Sequence, residues 1–219
     1  NVPAPGVGTE TEYSMTGDGS SFAAPVVAGT AALLLEEARR DPEMREALEL
    51  PGTNCLIKAV LMNSARKLPF WHKGDVSAGD DGQNPLDWLQ GAGVVDGLAA
   101  YRQLAAGREA PGRVAAAGWD LSEIERDARR LRVYHFEKPE DEDVIVATLV
   151  WNRHLSARAP FEPIAAAQSD LRLEVWAVDS SNPDRDTLLE YSDSLVDNVE
   201  HVICRADPEY SEYEIVVAF

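Results

Sequence analysis

The stretch from Ser20 to Arg40 limits the folds open to this 219-residue chain more than any other segment. It begins with small residues, continues with large apolar ones and closes on charged ones, a pattern that predicts a helix. Because its first three turns are apolar nearly all round, the helix belongs inside a protein and not on its surface. Its longest apolar run, from Phe22 to Leu35, is interrupted by Pro25 and Gly29, and we expect it to be too short to span a bilayer.

Three further helices are predicted in the first half of the chain, each with a residue at its start that caps helices well. Asp41 caps the first helix, at 42–50. Thr53 caps the second, at 54–65, and Asp96 caps the third, at 97–106. A loop rich in Gly and Asp covers 69–85, and a brief turn and strand covers 91–95. This half is therefore predicted to be mostly helical.

After Gly107 the pattern changes, and Pro111 and Gly112 indicate a linker. Short segments with alternating apolar residues, separated by turn residues, replace the helices. They are Leu131–Glu137, Val144–Trp151, Leu171–Val178, Thr187–Tyr191, Val199–Arg205 and Tyr213–Val217. The sequence thus predicts two domains, a mainly helical one at 1–110 and an all-β antiparallel, jelly-roll-like sandwich at 111–219.

Charge and cysteine content narrow the classes of function. The net charge is −18, and such a surface repels phosphate backbones, which argues against nucleic acids and anionic membranes as partners. Basic or neutral partners fit better. Cys55 and Cys204 lie far apart in the sequence and do not make a disulfide framework, so we expect two free, buried thiols.

The segment from Gly19 to Gly29 carries the chemistry. It places the hydroxyl of Ser21 at the start of the long helix, where free backbone N–H groups and the positive end of the helix dipole favour a negative charge. The small residues Gly19, Ala23 and Ala24 leave room for a substrate backbone. Pro25 lies in the first turn, where its missing N–H costs little.

This segment resembles the nucleophile motif of the subtilase family of serine peptidases, G-T-S-x-A-x-P-x-V-A-G, with Ser20 in place of the threonine. Three flanking segments resemble other family elements in the same order. They are Val2–Gly6 for the V-x-A-P-G loop, Ile57–Ala65 for the helix after the nucleophile, and Gly91–Asp96 for the closing G-x-G-x-V-D turn. The resemblance covers residues 1 to about 107 and implies the C-terminal portion of an α/β subtilisin-like fold.

The resemblance implies that Ser21 is the nucleophile, that its own backbone N–H is one oxyanion donor, and that Phe22 flanks the leaving-group side. In this family the catalytic Asp and His precede the serine, so we expect them, with the oxyanion Asn, to lie upstream of this chain. The four histidines stand outside the family's H-G-T-H context and are predicted to be solvated or on strand surfaces. They are His72, His135, His154 and His201. The chain alone is therefore predicted to be inactive.

The strands after residue 110 resemble, more weakly, the C-terminal β-sandwich modules of secreted bacterial subtilases, which implies secretion. Four aspartates near strand ends could bind a structural calcium ion or could be solvated turn residues. They are Asp170, Asp179, Asp193 and Asp197. The serine chemistry itself requires no cofactor.

Two functions remain open at this point. In the first, the chain is the serine-bearing part of an endopeptidase that acts on proteins or peptides and docks to the upstream half of its own peptidase domain. In the second, it is a non-catalytic binding module with a degenerate subtilase-like platform. A D-[ST]-G loop and an H-G-T-H helix start encoded upstream of Asn1 would favour the first, because sites and not folds carry function.

Overall fold

The structure is a computed structural model that describes residues 19–124, 131–139, 142–164 and 169–219. Helices come first and strands follow. The helices are α1 (Ser20–Arg40), α2 (Pro42–Glu49), α3 (Thr53–Asn63) and α4 (Gly97–Ala105). The strands are β1 (Gly112–Arg113), β2 (Leu131–Glu137), β3 (Val144–Val150), β4 (Arg172–Val178), β5 (Thr187–Ser192), β6 (Val199–Arg205) and β7 (Glu212–Ala218).

All four predicted helices are confirmed, α1 with its predicted ends. Asp96 caps α4 as predicted, since its side chain accepts hydrogen bonds from Leu98 N at 3.1 Å and Ala99 N at 2.9 Å. The predicted cap of α3 is wrong. Gly52, with φ 99°, occupies the N-cap, and the Thr53 hydroxyl donates backwards to main-chain carbonyls.

The helical half has its own hydrophobic core. Its buried members are Leu34, Ala38, Met44, Leu56, Ile57, Val60, Ala100, Leu104 and Trp119. Trp119 comes from beyond the predicted boundary at residue 110, and its indole Nε1 donates to Leu104 O at 2.9 Å. Helix α1 contributes its C-terminal half to this core, through the buried Leu34 and Ala38.

The strands form two sheets. One has five strands in the order β1-β2-β7-β4-β5, and the other pairs β3 with β6. All six predicted strands are present, whereas β1 was missed because it has only two residues beside Pro111. Side chains of both sheets form one cluster, which includes Val175 of β4, Val202 of β6 and Tyr213 of β7. The predicted all-β sandwich is not established, since one sheet has two strands, β1 runs parallel to β2 and α3 packs on β3.

Polar contacts join the two halves of the chain. Thr148 Oγ1 on β3 donates to Asn63 Oδ1 on α3 at 2.9 Å. The buried Lys73, from the loop rich in Gly and Asp, donates to Glu190 Oε1 at 3.1 Å and Tyr191 O at 2.9 Å on β5. This loop is therefore docked on the sheets, and the division at residue 110 stays a prediction.

Candidate functional site

Ser21 is the second residue of α1. The preceding Gly19 has φ 152° and no side chain, so no side chain caps the helix. Its carbonyl accepts the first helical bonds, from Phe22 N at 3.0 Å and Ala23 N at 3.4 Å. The N–H groups of Ser20 and Ser21 precede these bonds, where a helix leaves its donors free for an anion.

The N-terminal half of α1 is exposed over all residues from Ser20 to Gly29. Phe22 is 48% exposed, Val26 56% and Leu33 69%, whereas Leu34 is 2% exposed. The expectation that this helix lies inside the protein is therefore met only at its C-terminal end.

Helix α1 is also long and apolar enough to cross a membrane, so the expectation that its apolar run is too short is wrong. The helix continues to Arg40 and has 21 residues. Length and composition are weak evidence for a membrane span, because core helices of soluble proteins meet the same criteria.

The predicted closing turn lies next to the start of α4. The predicted strand at 91–95 is reduced to two isolated bridges, Asp87 with Gly91 and Arg66 with Val94. Arg66 and Val94 exchange backbone hydrogen bonds of 2.8 and 2.9 Å. A Cβ on Gly93 would lie 2.6 Å from Arg66 O, so this close approach requires glycine. At Gly97 a Cβ would lie 3.3 Å from Thr30 Cγ2, which places the start of α4 against α1.

No hydrogen bond joins Ser21 to a histidine in the part of the chain that the structure describes. His72 Nε2 lies 3.4 Å from Asp81 Oδ2, and His135 Nδ1 lies 3.4 Å from Glu214 Oε1. The His72 ring therefore faces the carboxylate of Asp81, in the loop rich in Gly and Asp, and the His135 ring faces that of Glu214 on β7. Ser21 thus has a helix terminus for an oxyanion but no base from the described residues.

His201 was predicted to be solvated or on a strand surface, and this is wrong: it is fully buried. Its Nδ1 lies 2.8 Å from Thr148 Oγ1. Because that hydroxyl already donates its proton to Asn63, the ring must donate from Nδ1, and Nε2 is buried without a partner. Burial, with a smaller effect of Lys67 and Lys73, lowers the pKa of His201 to about 3.

The neighbouring Glu200 is also fully buried and was missed by sequence reasoning. Ser192 Oγ donates to one carboxylate oxygen, and Ser194 N donates to the other at 2.9 Å. Burial raises the pKa of Glu200 to about 7 against the lowering effect of these hydrogen bonds. The alternation of apolar and polar residues along a strand could not reveal that Glu200 and His201 are both buried, since residues 199–202 are buried on both faces of β6.

Among the residues that the structure describes, no group of three or more His, Cys, Asp or Glu side chains could hold a metal ion. Asp179 accepts a hydrogen bond from Ser181 N at 3.0 Å and pairs with Arg185 at 3.0 Å. Asp197 accepts from Ser194 Oγ at 2.8 Å. These two aspartates therefore stabilise turns. Cys55 and Cys204 are free thiols.

The comparisons with known proteins agree with the motifs. Residues 2–93 match the model of the subtilase family, Peptidase_S8. The match supports a subtilase-type peptidase in the parent protein, and members of the family are often secreted. Neither a curated protein nor a solved structure matches the chain. The V-x-A-P-G element at Val2–Gly6 lies outside the described residues.

Proposed function

We propose that this chain supplies the nucleophile of a secreted serine endopeptidase, with Ser21 forming the acyl-enzyme. The observation that carries the proposal is the position of Ser21 on the open first turn of α1, within the segment that matches the subtilase family. The Ser21 N–H and the positive end of the helix dipole would stabilise the oxyanion. Phe22 would flank the leaving group of a protein or peptide substrate.

The rest of the site is proposed to come from the upstream half of the peptidase domain. A serine hydroxyl is a weak nucleophile until a positioned base takes its proton, and the described residues give Ser21 no such base. The exposed apolar face of α1, with Phe22, Val26 and Leu33, is where that half would dock. We assign this face to a protein partner and not to a bilayer, since the family match covers it.

The test is labelling by a serine-directed fluorophosphonate, with and without the segment encoded upstream of Asn1. We expect stoichiometric labelling only when that segment is present, because it supplies the base. Ser21→Ala should abolish labelling and lower peptidase turnover by a factor on the order of 10⁶, the cost of removing the serine in subtilisin. The adjacent Ser20→Ala is the matched control and should label. Labelling that survives in Ser21→Ala would remove this serine from the mechanism.

The second candidate is a non-catalytic binding module, favoured by the lack of any described histidine bonded to Ser21. In that case the upstream segment would lack the D-[ST]-G and H-G-T-H elements, and no fluorophosphonate would react even in the assembled protein. The two candidates therefore give opposite results in the same assay. The net charge of −18 argues against nucleic acid as a partner under both proposals.

A further inference from the structure

A cavity of about 380 Å³ lies between residues 67–73 and the sheets. Its apolar walls are Leu68, Phe70, Trp71 and Ile203. The loop side is held in place, because Trp71 Nε1 donates to Gly91 O at 2.8 Å and Lys73 bonds to β5. Ser21 is not among the described residues that line it.

Lys67 brings an uncompensated positive charge to this cavity. Its Nζ donates to Ala92 O at 2.5 Å and lies 4.8 Å from the centre of the Trp71 ring. No carboxylate of the described residues lies within ion-pair distance of it. An ammonium group has three donors, so hydrogen-bonding capacity remains. Burial lowers the pKa of Lys67 to about 8, as expected for a cation without a partner anion.

The two carboxylates of the cavity each lie next to a nitrogen of another side chain. Lys73 Nζ lies 3.1 Å from Glu190 Oε1, and His72 Nε2 lies 3.4 Å from Asp81 Oδ2. These two carboxylates would repel a doubly charged anion such as phosphate, whereas one additional negative charge can be balanced by Lys67.

We propose that this cavity binds a carboxylate joined to an apolar group, with the carboxylate on the Lys67 ammonium and the apolar group against Trp71 and Ile203. The charge-assisted hydrogen bond supplies the specificity, and the apolar walls supply burial. Two sources have this chemistry, a free small carboxylic acid and the carboxyl terminus of a peptide. The site does not depend on catalysis by Ser21.

The experiment uses the full chain labelled with ¹³C-lysine, since it has four lysines and the Lys67 signal can be assigned with a variant. The probes are 3-phenylpropionate and its amide, and a tripeptide ending in phenylalanine with a free or amidated carboxyl terminus. We expect the free acids to bind and to raise the pKa of Lys67, because a bound anion favours the charged amine. The amides should bind at least tenfold more weakly, from the loss of a hydrogen bond to a charged group.

Lys67→Met removes the charge and keeps the length of the side chain, and it should weaken acid binding by roughly the same factor. Lys58→Met, at an exposed position on α3, is the control and should bind like the unmodified chain. Binding of phenylpropionate alone assigns a small acid, and binding of both acids assigns a carboxyl terminus. Equal binding of acids and amides, or no binding, overturns the proposal. If Lys67→Met fails to fold, the comparison of the acids with their amides on the unmodified chain still tests the proposal.

Discussion

Helix α1 leaves Phe22, Val26 and Leu33 exposed, whereas strand β6 buries Glu200 and His201 completely. Folded proteins usually bury apolar side chains and expose charged ones. Helix α1 breaks the first tendency and strand β6 breaks the second. The polar groups of β6 are bonded inside the chain by Ser192, Ser194 and Thr148. The apolar groups on the first turns of α1 have no such cover among the described residues.

Whether an element is stable depends on the groups that surround it. A buried carboxylate is tolerated where donors reach it, so Glu200 needs no further partner, whereas His201 Nε2 has none among the described residues. An exposed apolar helix is stable only when another surface covers it, so α1 is the place where a further polypeptide is expected. Function that depends on assembly is therefore proposed at α1 and not at β6.

The largest effect is expected for the adjacent leucines of α1. Leu34→Ala removes a side chain that is 2% exposed and should lower the free energy of unfolding by about 2–5 kcal/mol. Leu33→Ala, at 69% exposure, should change it by about 0.5 kcal/mol or less. Urea denaturation of the 219-residue chain measures both values.

The same pair of variants locates the docking surface. In the presence of the upstream half, Leu33→Ala should become clearly destabilising, because the partner would then bury that side chain. An unchanged, negligible effect of Leu33→Ala in the assembled protein would place the partner elsewhere.

The next effect concerns Glu200, whose pKa rises on folding from its ordinary 4.5 to about 7. Because the folded state binds more protons than the unfolded state between these values, stability should fall as the pH rises from about 4.5 to 7 and then level off. At 1.36 kcal/mol per pH unit the loss is at most about 3.4 kcal/mol. Glu200→Gln keeps the shape and removes the titration, so its denaturation free energy should lack this decline. A parallel decline in both proteins would show that another group causes it.

His201 should act in the opposite direction. Its pKa falls from 6.5 to about 3 on folding, so its contribution is present above pH 6.5 and is lost as the pH falls towards 3. At pH 5.5 the loss is about 1.4 kcal/mol relative to pH 7.5. In His201→Phe this loss should be absent, and thermal melts at the two pH values measure it. Should His201→Phe keep the full acid sensitivity, the ring is not the group that titrates.

The smallest effect is expected for Val26→Ser on the exposed face of α1. Valine and serine have similar helix propensities, and Val26 is 56% exposed, so unfolding should change by about 0.5 kcal/mol or less. Binding of a hydrophobic dye to the isolated chain should decrease instead, since the apolar patch is smaller. A destabilisation of several kcal/mol would mean that residues 1–18 or another segment cover this face.

Much of the fold could be predicted because the patterns are local. The charged end of α1 and the turn residues between the strands set the ends of those elements, and β2 and β6 have their predicted bounds. The cap of α3 could not be predicted, because Thr53 is itself a good capping residue. In the structure Gly52 is the N-cap, in a left-handed conformation, and the helix therefore begins one residue earlier than predicted.

The candidate site, like the fold, could be predicted only in part. Ser21 is recognisable from its motif, and its catalytic role stays a prediction. His201 could not be identified as buried, because alternation along a strand predicts burial of one face, whereas β6 is covered on both. The Lys67 cavity arises from the contact between the loop after α3 and the strands β5 and β6, a meeting of distant residues that no local pattern encodes.

The place of Trp119 determines how the two halves could be exchanged during evolution. Its ring fills the helical core although it follows the predicted boundary at residue 110, so a gene fusion made at residue 110 would carry away a core side chain together with the residues that follow. The Leu104 carbonyl would lose its indole donor in the same event. Recombination that keeps the helical core intact has to fall after Trp119, and a foreign module joined there would have to replace the contacts that Asn63 and Lys73 make with β3 and β5.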